Sequence, residues 1–386
     1  MDSQHTNSPD GVATAEDDLQ AHWQRVVGRR SFLKGVGLAG AATLPGGAVL
    51  ADTARASSAR LSDGDVAILR LLAAVELIES DLWQQYNELG GVHGGNAAYM
   101  AALQNLDGDM PQYITDNTDD ELSHAAFLNA YLRSKGAPAV NFDEFRRLPS
   151  SKATGARRVG RLTNLQRLNV DTSWYVRYRS TENPDLGATF PQAVTIRRQP
   201  AIPLSDPDTP PGLPAPVPPA NAQERRMQAI ANTAGFHFAY IEQGGSSLYS
   251  IMALKATSLE VLRIVVSIGG VETNHFSLWH DKAGNAVAQP LAGVTDPETG
   301  TTFPDLNDKG GELNQTNLIL PEPSAFLRPG LPACSVVRPT LDQLGGAVAT
   351  IASFTADGLF DGQPRRFFTT LHKLAREADA ASRGAH

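Results

Sequence analysis

Two Glu-x-x-His motifs constrain the fold of this 386-residue chain more than any other feature. They are Glu121-Leu-Ser-His124 and Glu272-Thr-Asn-His275, and each lies in a segment whose apolar residues have helical spacing. Residues three apart on a helix project from one face, so each motif directs a carboxylate and an imidazole towards one point. The two motifs therefore predict two helices that face a shared polar centre.

The apolar spacing predicts four long helices, with the two motifs on the second and the fourth. The helical period is lost over residues 139–221, where Trp174, Val176 and Tyr178 alternate as in a strand and indicate a small hairpin. We therefore predict an all-α core: a four-helix bundle within residues 57–284, a long crossover insertion over 139–221, and an irregular and helical extension over 285–386. The predicted helices cover about 63–89, 111–136, 222–256 and 258–281.

The other two helices each place a glutamate within an apolar face, Glu76 on helix 1 and Glu242 on helix 3. Four carboxylates buried together repel one another unless cations neutralise them. One Glu from each of two helices, with Glu-x-x-His from the other two, is the ligand set of bundle-core di-iron and di-manganese sites. Carboxylate and imidazole ligands favour iron or manganese, and zinc remains a further candidate. We predict two metal ions bound by Glu76, Glu121, His124, Glu242, Glu272 and His275.

The sequence segments around these six residues resemble those of the ferritin-like superfamily. More narrowly, they resemble those of exported bacterial ferritin-like proteins related to desiccation-associated proteins. The resemblance covers about residues 63–135 and 222–283. It rests on Val75-Glu76-Leu77-Ile78-Glu79 with Trp83 and Tyr86, on Glu121-Leu-Ser-His124, on Tyr240-Ile-Glu242-Gln-Gly-Gly, and on Gly270-Val-Glu272-Thr-Asn-His275.

This resemblance implies a ferritin-like four-helix bundle in which the lone glutamates are terminal ligands and the motif glutamates bridge two metals. Glu76 and Glu242 would then be terminal, Glu121 and Glu272 bridging, and His124 and His275 would each take one metal. The family has a long connection between its second and third helices. Because this connection is much longer than that of ferritin and the extension is additional, we expect a monomer or small oligomer rather than a storage cage.

Two of the predicted ligands have competing explanations. Thr118-Asp-Asp-Glu121 matches a capping box, in which Glu121 would only close a helix N-terminus. That explanation leaves His124 unaccounted for, so we favour the ligand. Glu79 is an alternative to Glu76 as the ligand from helix 1, because it lies three residues later on a neighbouring face. The register of the family motif favours Glu76.

Other residues near the predicted site have structural explanations. Gly244-Gly245 in helix 3 indicates close approach of another helix, because glycine otherwise weakens a helix. The arginine-rich stretch 146–167 is typical of a solvated face. We interpret His237 and His280 as packing or surface residues, and Trp83, Trp279, Tyr240 and Tyr249 as core aromatics rather than electron relays.

The pattern of the first 56 residues indicates an export signal. Arg29-Arg30-Ser-Phe32-Leu33-Lys precedes a short Gly/Ala-rich run, as in substrates of the twin-arginine export machinery. Ala-Arg-Ala over residues 54–56 matches a cleavage site, so the mature chain would begin near residue 57. We expect an exported protein, periplasmic or extracellular.

The composition excludes several classes of partner and of metal site. A formal net charge of -8, without a long Lys/Arg cluster, argues against a nucleic-acid partner. The single cysteine, Cys334, excludes an intramolecular disulfide and any multi-cysteine metal site. Two hypotheses remain. The first is a di-metal oxidoreductase that acts on O2 or peroxide, as a ferroxidase or a peroxide-consuming enzyme. The second is a non-catalytic structural or desiccation-stress protein, whose metal site only stabilises the bundle or stays empty.

Overall fold

Four helices with the predicted apolar spacing form the core of the computed structural model. It describes residues 60–177, 191–210, 216–284, 286–308, 321–322, 330–335 and 345–383. The predicted export signal, with Arg29, Arg30, Phe32 and Leu33, lies outside these residues. Within the described ranges, no helix combines the length and the apolar character that a membrane span needs.

Helices dominate the described structure. The long helices are α1 (Asp63–Gly90), α3 (Met110–Ser134), α5 (Ala222–Lys255) and α6 (Leu259–Trp279). The shorter ones are α2 (Ala97–Gln104), α4 (Trp174–Arg177), α7 (Ala347–Ala356) and α8 (Arg365–Asp379). Three 3-10 turns lie at Asp143–Phe145, Asp206–Asp208 and Leu306–Asp308, and a π turn follows α6 at His280–Gly284. Strand β1 (Pro321–Glu322) pairs antiparallel with β2 (Cys334–Ser335).

The local sequence accounts for the helix starts. Ser258 accepts a hydrogen bond from the Val261 amide at 3.4 Å and caps α6. Asn221 caps α5 in a reciprocal box with Glu224. Pro111 occupies the first turn of α3, where its missing N–H costs nothing. These starts agree with the helices predicted from the sequence.

The position of α3 also decides the capping alternative for Glu121. Thr118 lies well inside this helix, and its hydroxyl donates to the Ile114 carbonyl at 2.6 Å. A residue whose hydroxyl bonds back to the preceding turn does not cap a helix start. The capping explanation of Glu121 is therefore wrong.

The all-α bundle is confirmed: α1 packs along α3, α5 packs along α6, and α1 also contacts α5. Helix α5 is buried along most of its length. One cause is the extension, because the Phe354 ring of α7 lies against Gly244 of α5. Helix α8 covers part of α1. The predicted tail helices are thus present, and both pack on the bundle.

The predicted hairpin in the insertion is wrong where the structure describes it. Trp174–Arg177 forms the short helix α4, and Tyr178 lies outside the described residues. Trp174 and its neighbour Tyr175 are both fully buried, which a strand with alternating faces does not allow. Isolated bridges, Leu148 with Arg161 and Leu168 with Gln199, are the β pairing within the described part of 139–221.

The arginine-rich stretch is a solvated face only in part: Arg147, Arg157, Arg158 and Arg167 are exposed, whereas Arg146 and Arg161 contact α1. Arg161 is 2% exposed and makes an ion pair with Glu88 of α1. Arg146 donates to Asp81 of α1 at 2.7 Å. These pairs join the insertion to α1, because buried charges must be paired within the protein.

Candidate metal centre

The structure brings the six predicted ligand residues together in the core of the bundle. Each of the four long helices contributes one glutamate, and α3 and α6 add one histidine each. The four carboxylates are fully buried, whereas His124 is 7% exposed and His275 is 4% exposed. The histidines therefore lie on the side of the cluster nearest to solvent.

The Nδ1 atoms of both histidines face the carboxylates. His124 Nδ1 lies 3.1 Å from Glu121 Oε2, 3.3 Å from Glu272 Oε1 and 3.4 Å from Glu76 Oε2. His275 Nδ1 lies 3.1 Å from Glu121 Oε1 and 3.2 Å from Glu242 Oε2. One carboxylate, that of Glu121, thus contacts both imidazoles.

The ligand atoms form two overlapping groups, each able to hold one metal ion. Within each group, the donor atoms lie within 4.8 Å of one another. Glu121 and Glu272 belong to both groups, which is the arrangement of two metals that share bridging carboxylates. The first group is Glu76, Glu121, His124 and Glu272, and the second is Glu121, Glu242, Glu272 and His275.

The carboxylate oxygens leave room for cations. Both Glu272 oxygens and Glu76 Oε2 are buried without a hydrogen-bond partner among the described residues. Buried polar atoms are normally satisfied, so this concentration of acceptors fits metal ions. Gly245 also makes space, because a Cβ there would lie 2.3 Å from Glu272 Oε2. The predicted close approach at Gly245 is therefore to a side chain of the cluster.

The carboxylates differ in how readily they ionise. Burial raises the pKa of Glu76 to about 7, although the nearby His124 acts in the opposite direction. Burial and the charge of Glu121 raise the pKa of Glu272 well above its usual range. Burial also opposes ionisation of Glu121, but the hydrogen bonds from both histidines outweigh it and hold its pKa well below the usual range.

The histidines behave as cations within this acidic cluster. Burial lowers the pKa of an imidazole and is the largest single influence here, but at His124 the charge of Glu76 and the hydrogen bonds with the surrounding carboxylates together outweigh it. At His275 the charge of Glu242 and the hydrogen bonds with its carboxylate neighbours do the same, and the pKa of both histidines is raised well above the usual range. Metal ions that bind here would displace these protons, since an imidazole ligand must be neutral.

Three residues orient the cluster: the sequence analysis missed Asn117 and Asp120, and it interpreted Tyr249 only as a core aromatic. Asn117 donates from Nδ2 to Glu121 Oε1 at 2.9 Å and to Glu242 Oε1 at 3.0 Å. Tyr249 donates its hydroxyl to Glu76 Oε1. Asp120 Oδ2 lies 3.2 Å from His275 Nε2, on the side away from the carboxylates.

A sequence signal existed for two of these orienting residues. Asn117 precedes Glu121 by four positions and therefore lies one turn away on the same face of α3. Tyr249 follows Glu242 by seven positions, two turns along α5. Asp120 carried no such signal, because its partner belongs to another helix.

Glu79, the competitor of Glu76, is also buried beside the cluster. Neither of its carboxylate oxygens has a hydrogen-bond partner among the described residues. Burial, together with the charges of Glu272 and Glu76, raises its pKa well above the usual range. Glu79 belongs to neither ligand group, whereas Glu76 belongs to the first.

The remaining residues near the predicted site lie outside both ligand groups. His237 lies 2.8 Å from the Tyr86 hydroxyl, and His280 packs against the rings of Trp174 and Tyr175. Tyr240 bonds to Ser353 of α7 at 2.6 Å. Trp83 and Trp279 are fully buried and stack with ring centroids 5.3 Å apart.

Comparison with known proteins gives one match. A family model described as ferritin-like domain matches residues 64–285, which include all four long helices and all six residues of the cluster. No curated protein and no solved structure matches the chain.

Proposed function

The chain belongs to the ferritin-like domain family, and we propose that its bundle binds two iron or manganese ions that react with O2 or hydrogen peroxide. The observation that carries this proposal is the buried Glu272 carboxylate, shared by both ligand groups, whose oxygens have no hydrogen-bond partner among the described residues. Bound iron or manganese supplies redox chemistry towards O2 and peroxide, which the side chains of this cluster lack.

The proposed ligands divide into two terminal sets and two bridges. Each ion takes one terminal glutamate and one histidine, and two shared carboxylates neutralise the pair. Four carboxylates balance two divalent cations, so the loaded core carries no excess charge. Glu76 with His124 would hold one ion, Glu242 with His275 would hold the other, and Glu121 and Glu272, which belong to both groups, would be shared between them.

The surrounding residues position the ligands and set the direction of access. Asn117 donates to one oxygen of Glu121 and to one oxygen of Glu242, and would hold both carboxylates in position for the metals. Asp120, whose side chain is 38% exposed, orients His275 from the solvent side. Because the carboxylates are fully buried and the histidines are slightly exposed, small oxidants approach past the histidines.

The proposal includes export and a low oligomeric state. Arg29, Arg30, Phe32 and Leu33 support transport by the twin-arginine machinery, which carries folded proteins to the periplasm or the cell exterior. The insertion and the extension cover outer surfaces of α1 and α5, which supports a monomer or small oligomer over a cage.

Metal analysis of the mature protein after native export tests the function. We expect about two equivalents of iron or manganese per chain, and consumption of O2 or H2O2 when Fe(II) is added to metal-free protein. Zinc is measured in the same samples. A metal-free protein of equal thermal stability would overturn the proposal and favour the structural role. Light scattering on the same material should show a monomer or small oligomer, and a large cage would contradict that part.

Export has its own test. Replacing Arg29 and Arg30 together by lysine should retain the full-length precursor inside the cell, because the transport machinery reads the arginine pair. Immunoblots of cell fractions measure the distribution. Replacing Arg157 and Arg158 by lysine serves as a matched control outside the signal and should leave export unchanged. Unaltered export of the first variant would contradict the twin-arginine route.

A further inference from the structure

A column of aromatic rings leads from the metal centre into the bundle. Trp279 donates from Nε1 to Asn117 Oδ1 at 2.7 Å, and Asn117 in turn bonds two of the cluster carboxylates. Trp83 stacks on Trp279 with 20° between the ring planes. The ring of Tyr86 follows, 5.7 Å from that of Trp83 between centroids. All three rings are fully buried.

Tyr86, the last ring of the column, contacts a histidine, and this histidine contacts an aspartate. The Tyr86 hydroxyl lies 2.8 Å from His237 Nδ1, within reach for proton transfer. On the far side of the imidazole, Nε2 lies 3.4 Å from Asp357 Oδ2. Asp357 follows α7 and is 2% exposed, so the C-terminal extension supplies this acid. Sequence analysis gave His237 only a packing role.

We propose that Tyr86 is a one-electron donor to the metal site, with Trp83 and Trp279 as the path for the electron and His237 as the acceptor of the proton. This inference rests on the proposed function. The phenolic O–H bond of Tyr86 breaks, an N–H bond forms at His237 Nδ1, and a neutral phenoxyl radical remains. Hydrogen peroxide is the oxidant. Its reduction to two waters takes up two electrons and two protons. Tyr86 supplies one electron and the bound metal pair would supply the second, while both protons come from solvent, because the phenolic proton stays on His237.

Electrostatics explain why electron and proton leave together. Burial raises the pKa of Tyr86 well above its usual range, so the phenol holds its proton until the ring is oxidised. A positive ring at this depth would be costly. Transfer of the proton to His237 places the charge on a ring whose Nε2 lies 3.4 Å from Asp357 Oδ2. Burial raises the pKa of Asp357, and a positive His237 opposes that rise and favours the carboxylate that compensates it.

Two other fully buried tyrosines, Tyr99 and Tyr249, lack this arrangement. Tyr99 donates to the Ala201 backbone carbonyl at 2.7 Å, and an amide oxygen does not take up a proton near neutral pH. Tyr249 donates to Glu76, so its proton would pass to a metal ligand and weaken the site. Tyr86 therefore combines an electron path with a base outside the ligand set. The site can then complete the reduction of peroxide when the metals supply only one electron.

The test is rapid-freeze electron paramagnetic resonance on the metal-loaded, full-length protein after one addition of H2O2. We expect a tyrosyl radical in the wild type and its loss in Tyr86→Phe. Tyr99→Phe is the matched control and should keep the signal. His237→Gln should also lose it, because the glutamine side chain can accept the hydrogen bond of the phenol but cannot take up its proton. Persistence of the signal in Tyr86→Phe or in His237→Gln would overturn the assignment.

Metal content and peroxide consumption are measured in every sample, which separates this inference from the proposed function. Metal-loaded protein that consumes peroxide without forming a tyrosyl radical overturns the relay and leaves the function standing. Protein that binds no metal, or that leaves peroxide unreacted, overturns both.

A second measurement covers the case in which Tyr86→Phe misfolds. Replacing Tyr86 by 3-fluorotyrosine keeps the hydroxyl and almost the same shape. Fluorine on the ring should add a hyperfine splitting to the radical signal, because the unpaired electron resides on that ring. An unchanged spectrum would place the radical elsewhere and contradict the proposal.

Discussion

Helix α1 carries buried acids in two contrasting environments within six residues. Asp81 is fully satisfied by the insertion: Arg146 donates to it at 2.7 Å, the amides of Leu162 and Thr163 at 2.9 Å, and the Thr163 hydroxyl at 2.8 Å. Two residues earlier, neither carboxylate oxygen of Glu79 has a hydrogen-bond partner among the described residues. The Oε2 atom of Glu76 also lacks one.

This difference distinguishes a buried acidic residue that stabilises the fold from buried acidic residues at the metal centre. All three are fully or almost fully buried, so burial alone does not distinguish them. Asp81 has its charge compensated by the chain itself and fixes the insertion on α1. The acids of the metal centre outnumber the cationic groups around them, and their stabilisation must come from outside the chain. The following predictions test this division.

The largest expected effect is the loss of the metal pair in Glu272→Ala. This substitution removes a carboxylate that both ligand groups share. We expect the metal content to fall from about two equivalents per chain to one or none, measured by elemental analysis after equilibration with Fe(II) or Mn(II). Two retained equivalents would show that Glu272 is not a bridge.

Asp81→Asn should cost stability and leave the metal content unchanged. Asparagine turns an N–H group towards the donors of the insertion and leaves them unsatisfied. We expect a loss of about 2 kcal/mol in the free energy of unfolding, measured by urea denaturation. If this variant loses its metals as completely as Glu272→Ala does, the proposed division between the two regions fails.

Gly245→Ala should weaken metal binding by displacing a ligand. The new Cβ would lie 2.3 Å from Glu272 Oε2, so the carboxylate must move. We expect a loss of metal affinity of about tenfold, the size typical for disturbed ligand orientation, measured by competition with a chelator. Gly244→Ala is the matched control, because its Cβ meets only the Phe354 ring, at 3.2 Å. Equal losses in both variants would indicate general damage to α5.

The metal-free protein should become less stable as the pH rises, and metal should remove this dependence. The folded-state pKa of Glu76 is raised from 4.5 to about 7, so folding binds a proton in this range and loses that stabilisation as pH increases. The raised pKa of His124 acts in the same direction above 6.5. Thermal unfolding between about pH 5 and about pH 8 measures the effect. A metal-free protein that gains stability over this range would contradict the protonated cluster.

The smallest expected effect is that of Glu79→Gln. Because the pKa of Glu79 is raised well above its usual range, its carboxyl is neutral in the metal-free protein, and an amide replaces it with little change. We expect an unchanged metal content and a stability change of about 1 kcal/mol or less. Glu76→Gln, three residues away, should lose metal. If both variants lose it equally, the choice of Glu76 over Glu79 on α1 is wrong.

The sequence predicted those features that depend on neighbours within one helix. The bounds of the bundle helices and the cap at Ser258 follow from local spacing and capping chemistry. The meeting of the six Glu and His residues follows from four apolar faces that turn inwards. Their roles as ligands remain a prediction.

Features that depend on distant partners could not be found in the same way. The burial of Arg161 requires Glu88, which lies on another element and is far away in sequence. The contact of Asp120 with His275 depends on how α3 and α6 are rotated against each other. The consecutive burial of Trp174 and Tyr175 reflects a pocket formed by other helices, so alternation of aromatic residues was misleading there.

The packing of α8 on α1 has a consequence for the order of events during synthesis. Ala381 lies against Gly64 at the start of α1, and Arg383 donates from Nε to the Ala256 carbonyl at 2.6 Å. The first contact joins the end of α8 to the start of α1, and the second joins it to the connection between α5 and α6. The outer face of α1 can therefore be covered only after the ribosome has made α8, with the whole bundle between the two helices in the sequence.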